Sequence, residues 1–490
     1  MSRVLRCAAI VACRNERQNI KRMLPRWMEE GIEVILLDHS SCDGTREWAK
    51  EQLGAGIQRI ETLPWKGHFD LREQLLAKQE LIKQLDHEWV LHLDADEWPQ
   101  SSKPNERLID AIRRVDKEGS NAINFEEFVF LPTRKGKEAE HYYFFAPKQQ
   151  RLMRGWRRDT QLNNTEAGGH ELNPTSSIDM KLAEENFILR HYIVRNQTHA
   201  RKKYLNRIFS QDDLNRGWHN NRIKLCARSL TIPDPIHLHL KSGQNILSWD
   251  RSEPRESHYW HWDDNTKRQR LETLICLYGC DRDEELLKLF DESKLGSIIR
   301  HQQNARLIEV WAGSEKEELT GRRLTLSTPE CYEKLSLKTH RMMRACCKRF
   351  KFQQLIKLDL SCMRKTLEGP QYEGRKPIDQ DKLTLYIQSR MDKPLTDKHY
   401  DGMMQHIKPS REGIEGWATK KNAKVNINKV FPENTEIPSF YSGKCYTISR
   451  KLALEIARHG SIIAEEHAKY LHGAEDLMVA RMAEQLEVNK

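Results

Sequence analysis

Short apolar runs alternate with longer amphipathic stretches through the first hundred residues of the chain. Cys7–Cys13 is an apolar run of strand length. Ile20, Leu24, Trp27 and Met28 then recur at helical spacing, with Pro25 predicting a kink or a restart. Val34–Leu37 reads as a second strand ending in Asp38, followed by the turn cluster Ser40-Ser41-Cys42-Asp43-Gly44 and by Thr45 as the cap of the next helix. Ile57–Glu61 is a third strand, Asp70–Leu85 a helix and Trp89–Leu93 a fourth strand. Strands separated by helices of this length predict a parallel sheet with right-handed crossovers.

Beyond Asp96 the alternation changes. Ala122–Leu131 and the aromatic Tyr142–Phe145 are strand-like, as is Gln150–Met153. Gly168-Gly169-His170-Glu171 marks a tight loop, Phe187–Val194 is a strand that contains His191, and Thr198–Asn215 reads as a charged helix. The stretch from about Asn220 to Arg322 carries Trp249, Trp260, Trp262 and a cluster of histidines, then helical patterns at Thr266–Tyr278 and Glu284–Gln303. It reads as a helical and aromatic connector. From about Leu324 a second strand–helix–strand pattern runs to the carboxyl end, so the expected domains are 1–218, 219–323 and 324–490.

A length of 490 residues fits more than one domain. Hydrophobic content of 38% and a mean hydropathy of −0.77 describe a soluble, polar chain with no apolar run near the ~20 residues that span a bilayer. Met1–Ala12 has some flavour of a signal peptide, but its apolar part is short and meets Arg14-Asn15-Glu16, which favours a first strand. Eleven scattered cysteines without a Cys-x-x-Cys pair favour free thiols in a reducing cytoplasm. The net charge of +10 allows attraction to nucleotide-sugar diphosphates, an acidic polysaccharide, or an anionic membrane surface met peripherally. No motif points to nucleic acid. The basic and aromatic run Lys148–Arg158 is read either as a phosphate-facing surface or as a solvated face.

The chemistry concentrates at Asp94-Ala95-Asp96-Glu97, where an apolar strand ends in three carboxylates within four residues. Such groups repel one another unless a cation sits between them, and the carboxyl end of a parallel sheet is where ligands bind. Hard oxygen ligands in this arrangement suit Mg²⁺ or Mn²⁺ on a diphosphate; the other reading is a polar loop after a strand. The segment after the first strand, Arg14-Asn15-Glu16-Arg17-Gln18, has no glycine. That argues against a nucleotidyltransferase phosphate loop and against a dinucleotide oxidoreductase.

Val11-Ala12-Cys13-Arg14-Asn15-Glu16, the Trp27 helix, Ile35-Leu36-Leu37-Asp38, Ser41-Cys42-Asp43-Gly44-Thr45 and Leu93-Asp94-Ala95-Asp96-Glu97 occur in one register that resembles glycosyltransferase family 2. The resemblance implies a GT-A type α/β fold, a Rossmann-like mixed sheet flanked by helices, and transfer from a nucleotide-diphospho-sugar, a UDP-sugar favoured. The acceptor would be a glycan, a lipid-linked glycan or a protein, and the chemistry inverting and metal-dependent. Ala12, Arg14, Glu16 and Asp38 would contact the nucleoside; Asp38 also reads as a turn cap. Asp94 would face the ribose or metal-bound water, Asp96 would hold the cation, and His191 would supply a later ligand or a structural imidazole. Glu171 is the first candidate for the catalytic base, or else an exposed loop acid; Asp212 and Asp213 come next, and Glu97 lies too near the cation site to serve. A carbohydrate-binding or scaffold protein is the alternative from another class.

The carboxyl-terminal part resembles glycosyltransferase family 31, the β-1,3-galactosyltransferase-like group. Tyr332–His340, Leu355-Ile356-Lys357-Leu358-Asp359, Phe440–Arg450 and Gly473–Ala480 carry the resemblance. It implies a second, partial GT-A-like α/β domain with Asp359, Glu475 and Asp476 as site candidates. That family has three consecutive aspartates where this chain has Asp359-Leu360-Ser361, which leaves one oxygen anion of three for a metal. The domain is therefore read as a transferase without the usual metal grip or, in preference, as a degenerate domain serving acceptor binding or assembly. Glu475-Asp476 also reads as an ordinary acidic helix start.

Overall fold

A computed structural model describes residues 5–132, 141–147, 152–160, 162–174, 179–205, 207–227, 230–241, 249–255, 269–366, 376–396, 398–404 and 406–488. Trp260, Trp262 and Lys148–Arg151 lie outside the described residues. The chain divides into two compact units, residues 1–263 and 264–490.

In the first unit the predicted alternation is present: β1 (Cys7–Cys13), α1 (Arg17–Glu29), β2 (Glu33–Asp38), α2 (Thr45–Glu51), β3 (Ile57–Thr62), α3 (Leu71–Lys83) and β4 (Trp89–Asp94). Every residue of β1 is buried, as a strand covered on both faces requires. Helix α1 continues through Pro25, because Ile20, Met23, Leu24 and Trp27 hold its inner face in the core while Met28 turns outward. Thr45 opens α2 as its first residue, not as its cap; the position before it, Gly44, has a left-handed φ of +81°. Asp70 caps α3, its carboxylate accepting from the Glu73 amide at 2.8 Å.

The chain then adds β5 (Glu97–Gln100), α4 (Leu108–Lys117), β6 (Ala122–Leu131), β7 (Tyr142–Ala146), β8 (Met153–Arg157), a short pair β9 (Leu162–Asn163) and β10 (Asn173–Pro174), β11 (Leu182–His191), α5 (Gln197–Tyr204), α6 (Gln211–Asn215) and β12 (His239–Leu240). The expected charged helix Thr198–Asn215 is therefore two helices, each with its own cap: Asn196 for α5 and Ser210 for α6. The strand expected at Gln150–Met153 starts at Met153 and runs on to Arg157. That places Arg154 and Trp156, read from sequence as part of an exposed run, inside the protein.

The main sheet runs β12-β7-β6-β8-β4-β1-β2-β3, with β11 added between β6 and β5. Strands β4, β1, β2 and β3 are parallel; β8 joins β4 antiparallel, and from there the sheet is mixed. This is the Rossmann-like mixed sheet flanked by helices expected of the GT-A type. The crossovers leave β1 in opposite directions, toward β2 on one side and β4 on the other, which makes the β1/β4 border the switch point where ligands bind.

The second unit contains the pair β13 (Gln269–Arg270) and β18 (Phe350–Lys351), then β14 (Thr273–Tyr278), α7 (Glu284–Glu292), α8 (Lys294–His301), β15 (Ala305–Trp311), β16 (Glu318–Thr320), β17 (Arg323–Thr325), α9 (Leu335–Arg349), β19 (Gln354–Asp359), α10 (Gln380–Asp392), β20 (Tyr400–Gly402), α11 (Arg411–Lys420), β21 (Cys445–Ser449), α12 (Arg450–His459), α13 (Ser461–Tyr470) and α14 (Glu475–Val488). Its seven-stranded sheet runs β16-β17-β15-β14-β19-β21-β20. Two corrections follow. The helix expected at Thr266–Tyr278 is the strand β14, whose six residues are all buried. The unit begins near 264, not 324, because β14 and β15, placed by sequence in a connector, form the middle of its sheet.

None of the eleven cysteines, all among the described residues, is in a disulfide. Among the described residues, no helix is long and apolar enough to cross a membrane.

His467, on α13, is fully buried, with Nδ1 facing the Ala474 carbonyl at 3.0 Å. Burial pushes its imidazole down to about 3, so it stays neutral in the folded unit while the unfolded chain takes up a proton below about pH 6.5. Stability from this group is present above that pH and is lost on acidification. Between pH 7.5 and 5.5 the loss is about 1.4 kcal/mol. Denaturant unfolding of His467→Gln should show a correspondingly smaller fall for the second unit over the same range; an unchanged pH slope excludes His467 as the source.

Candidate active site

Parallel pairing of β1 with β4 sets Ala12 opposite Asp94, and pairing of β1 with β2 sets Cys13 opposite Asp38. Three strand ends therefore deliver their following loops to one edge of the sheet. Asn15, in the left-handed region at φ +58°, turns the first loop so that its amide reaches Ser41 Oγ at 2.9 Å and its side chain accepts from the Cys42 amide at 2.8 Å. Arg14 donates to the His39 carbonyl at 2.6 Å and to that of Ser40, and its guanidinium lies 3.9 Å from the Trp65 ring centre. Asp38 is buried, and both its oxygens accept from the Ser41 amide, at 3.3 and 3.2 Å. It thus acts as the turn cap of its loop. Glu16 accepts from Asn19 at 2.6 Å; burial raises its carboxyl against the pull of Lys203.

The carboxylates after β4 take three different environments. Asp94 is half exposed, at 47% of its side chain, with Arg154 Nη1 3.5 Å away. Its desolvation is outweighed by Arg154 and Lys78, which hold its carboxyl well below the usual range. Asp96 is buried, and Lys203 Nζ reaches its Oδ2 at 2.6 Å while His191 Nε2 lies 3.6 Å from Oδ1. Burial opposes its charge, but the two cationic groups hold it well below the carboxylate range. Glu97 is completely buried; Arg154 Nη1 donates to its Oε2 at 2.8 Å, and the Asp94 amide donates to the same oxygen at 2.9 Å. Burial outweighs Arg154 there and pushes the carboxyl up to about 7. Trp27 Nε1 donates to the Glu97 carbonyl at 2.8 Å, fixing where β5 begins.

His191 ends β11 directly opposite Glu97 in the antiparallel β5/β11 ladder. Its Nδ1 meets Glu127 Oε1 at 2.6 Å, so the ring is oriented with Nε2 toward Asp96. Burial lowers the imidazole, but Asp96 and Glu127 outweigh it and raise its pKa well above the ordinary value. A carboxylate–imidazole pair of this kind, with the ring's far nitrogen fixed by a second carboxylate, is the donor chemistry of a divalent metal site. Asp96 and His191 therefore fit such a cation, with Glu127 behind the ring. Among the described residues, no group of three or more His, Cys, Asp and Glu side chains is arranged to hold a metal ion.

The structure brings Asp94, Asp96 and His191 together and sets Ala12, Arg14, Glu16 and Asp38 along the same sheet edge. Glu171 is exposed. Its loop packs against β4: Asn164 contacts His92 Nδ1 at 2.9 Å and donates to the Gly169 carbonyl at 3.0 Å. Gly169, at φ +78°, lies so close that a Cβ there would stand 2.7 Å from His92 Cε1. Asp213 is fully buried, and its two oxygens accept the Leu71 amide at 2.7 Å and the Arg72 amide at 3.2 Å. These are the first two amides of α3, the helix that Asp70 caps. Asp212 pairs with Arg216 and Arg72 at the surface.

Sequence reasoning passed over Lys203, Lys78 and Glu127 and read Arg154 only as part of the basic run Lys148–Arg158. Lys78 is buried, reaches the Leu93 carbonyl at 3.3 Å, and is pushed down by burial to about 8. Arg154 carried a signal in its position next to Gly155, whose missing side chain lets β8 lie against Leu91 and Ile123. Lys203 and Glu127 carried none, since a lysine in a basic helix and a glutamate in a strand look like surface residues.

Residues 8–160 match the family described as Glycosyl transferase family 2. No curated protein matches the chain. Among solved structures, S. aureus TarS 1–349 in complex with UDP is 15% identical, with 46% of this chain and 75% of that one covered and a TM-score of 0.27. Glucosyl-3-phosphoglycerate synthase from Mycobacterium tuberculosis, in complex with Mn2+, UDP and glucosyl-3-phosphoglycerate, is 16% identical, with coverage of 26% and 44% and a TM-score of 0.18. The family match ends before β9, and no comparison supports the family 31 resemblance of the carboxyl-terminal part. This match supports a nucleotide-sugar-dependent glycosyltransferase in the amino-terminal region of the chain.

Arg154 neutralises two carboxylates from a buried position. Arg154→Met leaves the buried Glu97 carboxyl without its cation and should destabilise the first unit by about 3–5 kcal/mol in denaturant unfolding. The double variant Arg154→Met, Glu97→Gln should recover much of that loss. Additive losses in the double variant would show that the two side chains do not act as a pair.

Proposed function

We propose that the chain transfers a sugar, with inversion, from a UDP-type nucleotide sugar to a hydroxyl of a glycan, lipid-linked glycan or protein acceptor. The observation that carries this reading is the set Asp94, Asp96 and His191 at the β1/β4 switch point, where a diphosphate would lie against both carboxylate loops. Asp96 and His191 would hold Mn²⁺ or Mg²⁺. A divalent cation there supplies charge neutralisation for the departing diphosphate.

The chain's own residues do the rest. Ala12 leaves the floor of the crevice low, and the Arg14–Trp65 pair walls its nucleoside side. Asp94, half exposed and held ionised by Arg154, is set to accept from ribose hydroxyls or from metal-bound water. Lys203 adds a fixed positive charge beside Asp96. Glu171 is the proposed base: it is exposed on a loop tied to β4 through Asn164 and His92, and its carboxylate would take the proton of the acceptor hydroxyl as the bond to the sugar forms.

Two measurements test the reading. In a thermal-shift panel of nucleotide sugars with Mn²⁺, one donor at a hundredfold excess over its Kd should stabilise the chain by about 2.7 kcal/mol. Asp96→Ala should lose that effect; stabilisation that survives the substitution moves the donor elsewhere. Glu171→Gln should lower turnover by about 10²–10⁴-fold with nucleotide affinity nearly unchanged. Retained turnover assigns the base to another residue.

A further inference from the structure

Residues 195–227 carry eight lysines and arginines against two aspartates. Both acids are already engaged: Asp213 accepts the Leu71 and Arg72 amides, and Asp212 pairs with Arg72 and Arg216. Of the cations, Lys203 is held by Asp96, and Arg216 by Asp212 and Glu166. Arg201, Lys202 and Lys224 are exposed, and none of the ion pairs among the described residues involves them.

The surplus of positive charge is felt where α5 ends. Arg222 lies 5.6 Å from the Tyr204 ring centre, and Arg207 4.6 Å from that of Phe69. Burial, and after it the charge of Arg222, pull the Arg207 guanidinium below its ordinary value.

Each of these two arginines is followed by an exposed isoleucine, Ile208 at 66% and Ile223 at 56%. Their exposure is built into the backbone. The Phe69 amide donates to the Ile208 carbonyl at 2.7 Å, and the Ser210 amide donates to the Phe69 carbonyl at 2.8 Å, which holds this stretch extended. Neighbours on an extended chain point to opposite sides. Phe209 turns inward and stacks on the His219 ring at 4.5 Å, leaving Ile208 outside. The Ile223 amide donates to the His219 carbonyl at 3.3 Å. His219 thus joins the two segments that carry the isoleucines.

Nucleic acid or an acidic polysaccharide would meet the cations and leave both isoleucines in water. An anionic bilayer meets both kinds of group: the alkyl chains enter the acyl boundary while the cations stay at the lipid phosphates. We propose that Arg201, Lys202, Ile208, Ile223 and Lys224 form a surface that docks the first unit on an anionic lipid bilayer. Lys203, in the same stretch, reaches Asp96, so this surface borders the sheet edge that carries Asp94 and Asp96. Docking requires neither donor nor cation and stands apart from the sugar-transfer reading.

Co-sedimentation of the full chain with vesicles tests this. Vesicles of equal parts phosphatidylglycerol and phosphatidylcholine should carry the chain down, and phosphatidylcholine alone should not. Ile208→Ser combined with Ile223→Ser should weaken binding by about tenfold or more, through loss of two inserted side chains. Arg201→Gln, Lys202→Gln and Lys224→Gln should each weaken it by about fivefold. These five positions are exposed, so thermal unfolding of every variant should match that of the unaltered chain. Failure to bind the anionic vesicles, or equal binding to both kinds, overturns the proposal. Vesicle binding that survives the isoleucine substitutions, with heparin held as tightly as vesicles, assigns the charge to a soluble polyanion and overturns it as well.

Discussion

Carboxylates packed at the end of a buried strand remain charged only if cations are buried with them, and the first unit is organised around that constraint. Removing an ion from water costs several kcal/mol even after relaxation, so each acid needs a partner of good geometry. Arg154, from β8, serves Glu97 and Asp94; Lys203, from α5, serves Asp96; His191, from β11, stands between Asp96 and Glu127. Three elements far apart in sequence are thereby drawn to one strand end. The mixed half of the sheet is what brings them there, since β8 and β11 supply two of the three cations.

The same need is met differently in the second unit. There the cations come from the strand that ends in Asp359 and from its neighbour: Lys357 of β19, on Glu475, and Lys444 on the approach to β21. Fewer carboxylates are present, and they are either bonded to lysine or turned inward. The first site thus draws its cations from elements far away in the chain, and the second from its own strands.

Much of the parallel half was legible in the sequence, because strands buried on both faces leave apolar runs that periodicity detects, as in Cys7–Cys13 and Trp89–Leu93. The Asp94-Ala95-Asp96-Glu97 cluster was legible for the same reason: acids directly after such a run have no structural excuse. Thr273–Tyr278 was misread as helical because a short apolar run fits either period when nothing bounds it. Lys203 and Glu127 were illegible because their importance comes from side chains brought together over long stretches of chain. The bonds from the first amides of α3 to Asp213 were illegible too, since a partner 142 residues away leaves no local pattern.

That separation has a consequence for how the protein comes to exist. Asp96 and Lys203 are 107 residues apart, and Leu71 and Asp213 are 142 apart. Contacts of such range close only after large loops have been ordered, which makes them slow to form and dependent on the rest of the unit. This edge of the sheet is therefore late-maturing: a nascent chain that has emerged only through residue 160 has the loops after β1 and β2 but lacks His191, Lys203 and the β11 strand that joins β5 to β6. Closing this edge therefore waits until the chain has been made past Asp213, long after the parallel strands are complete.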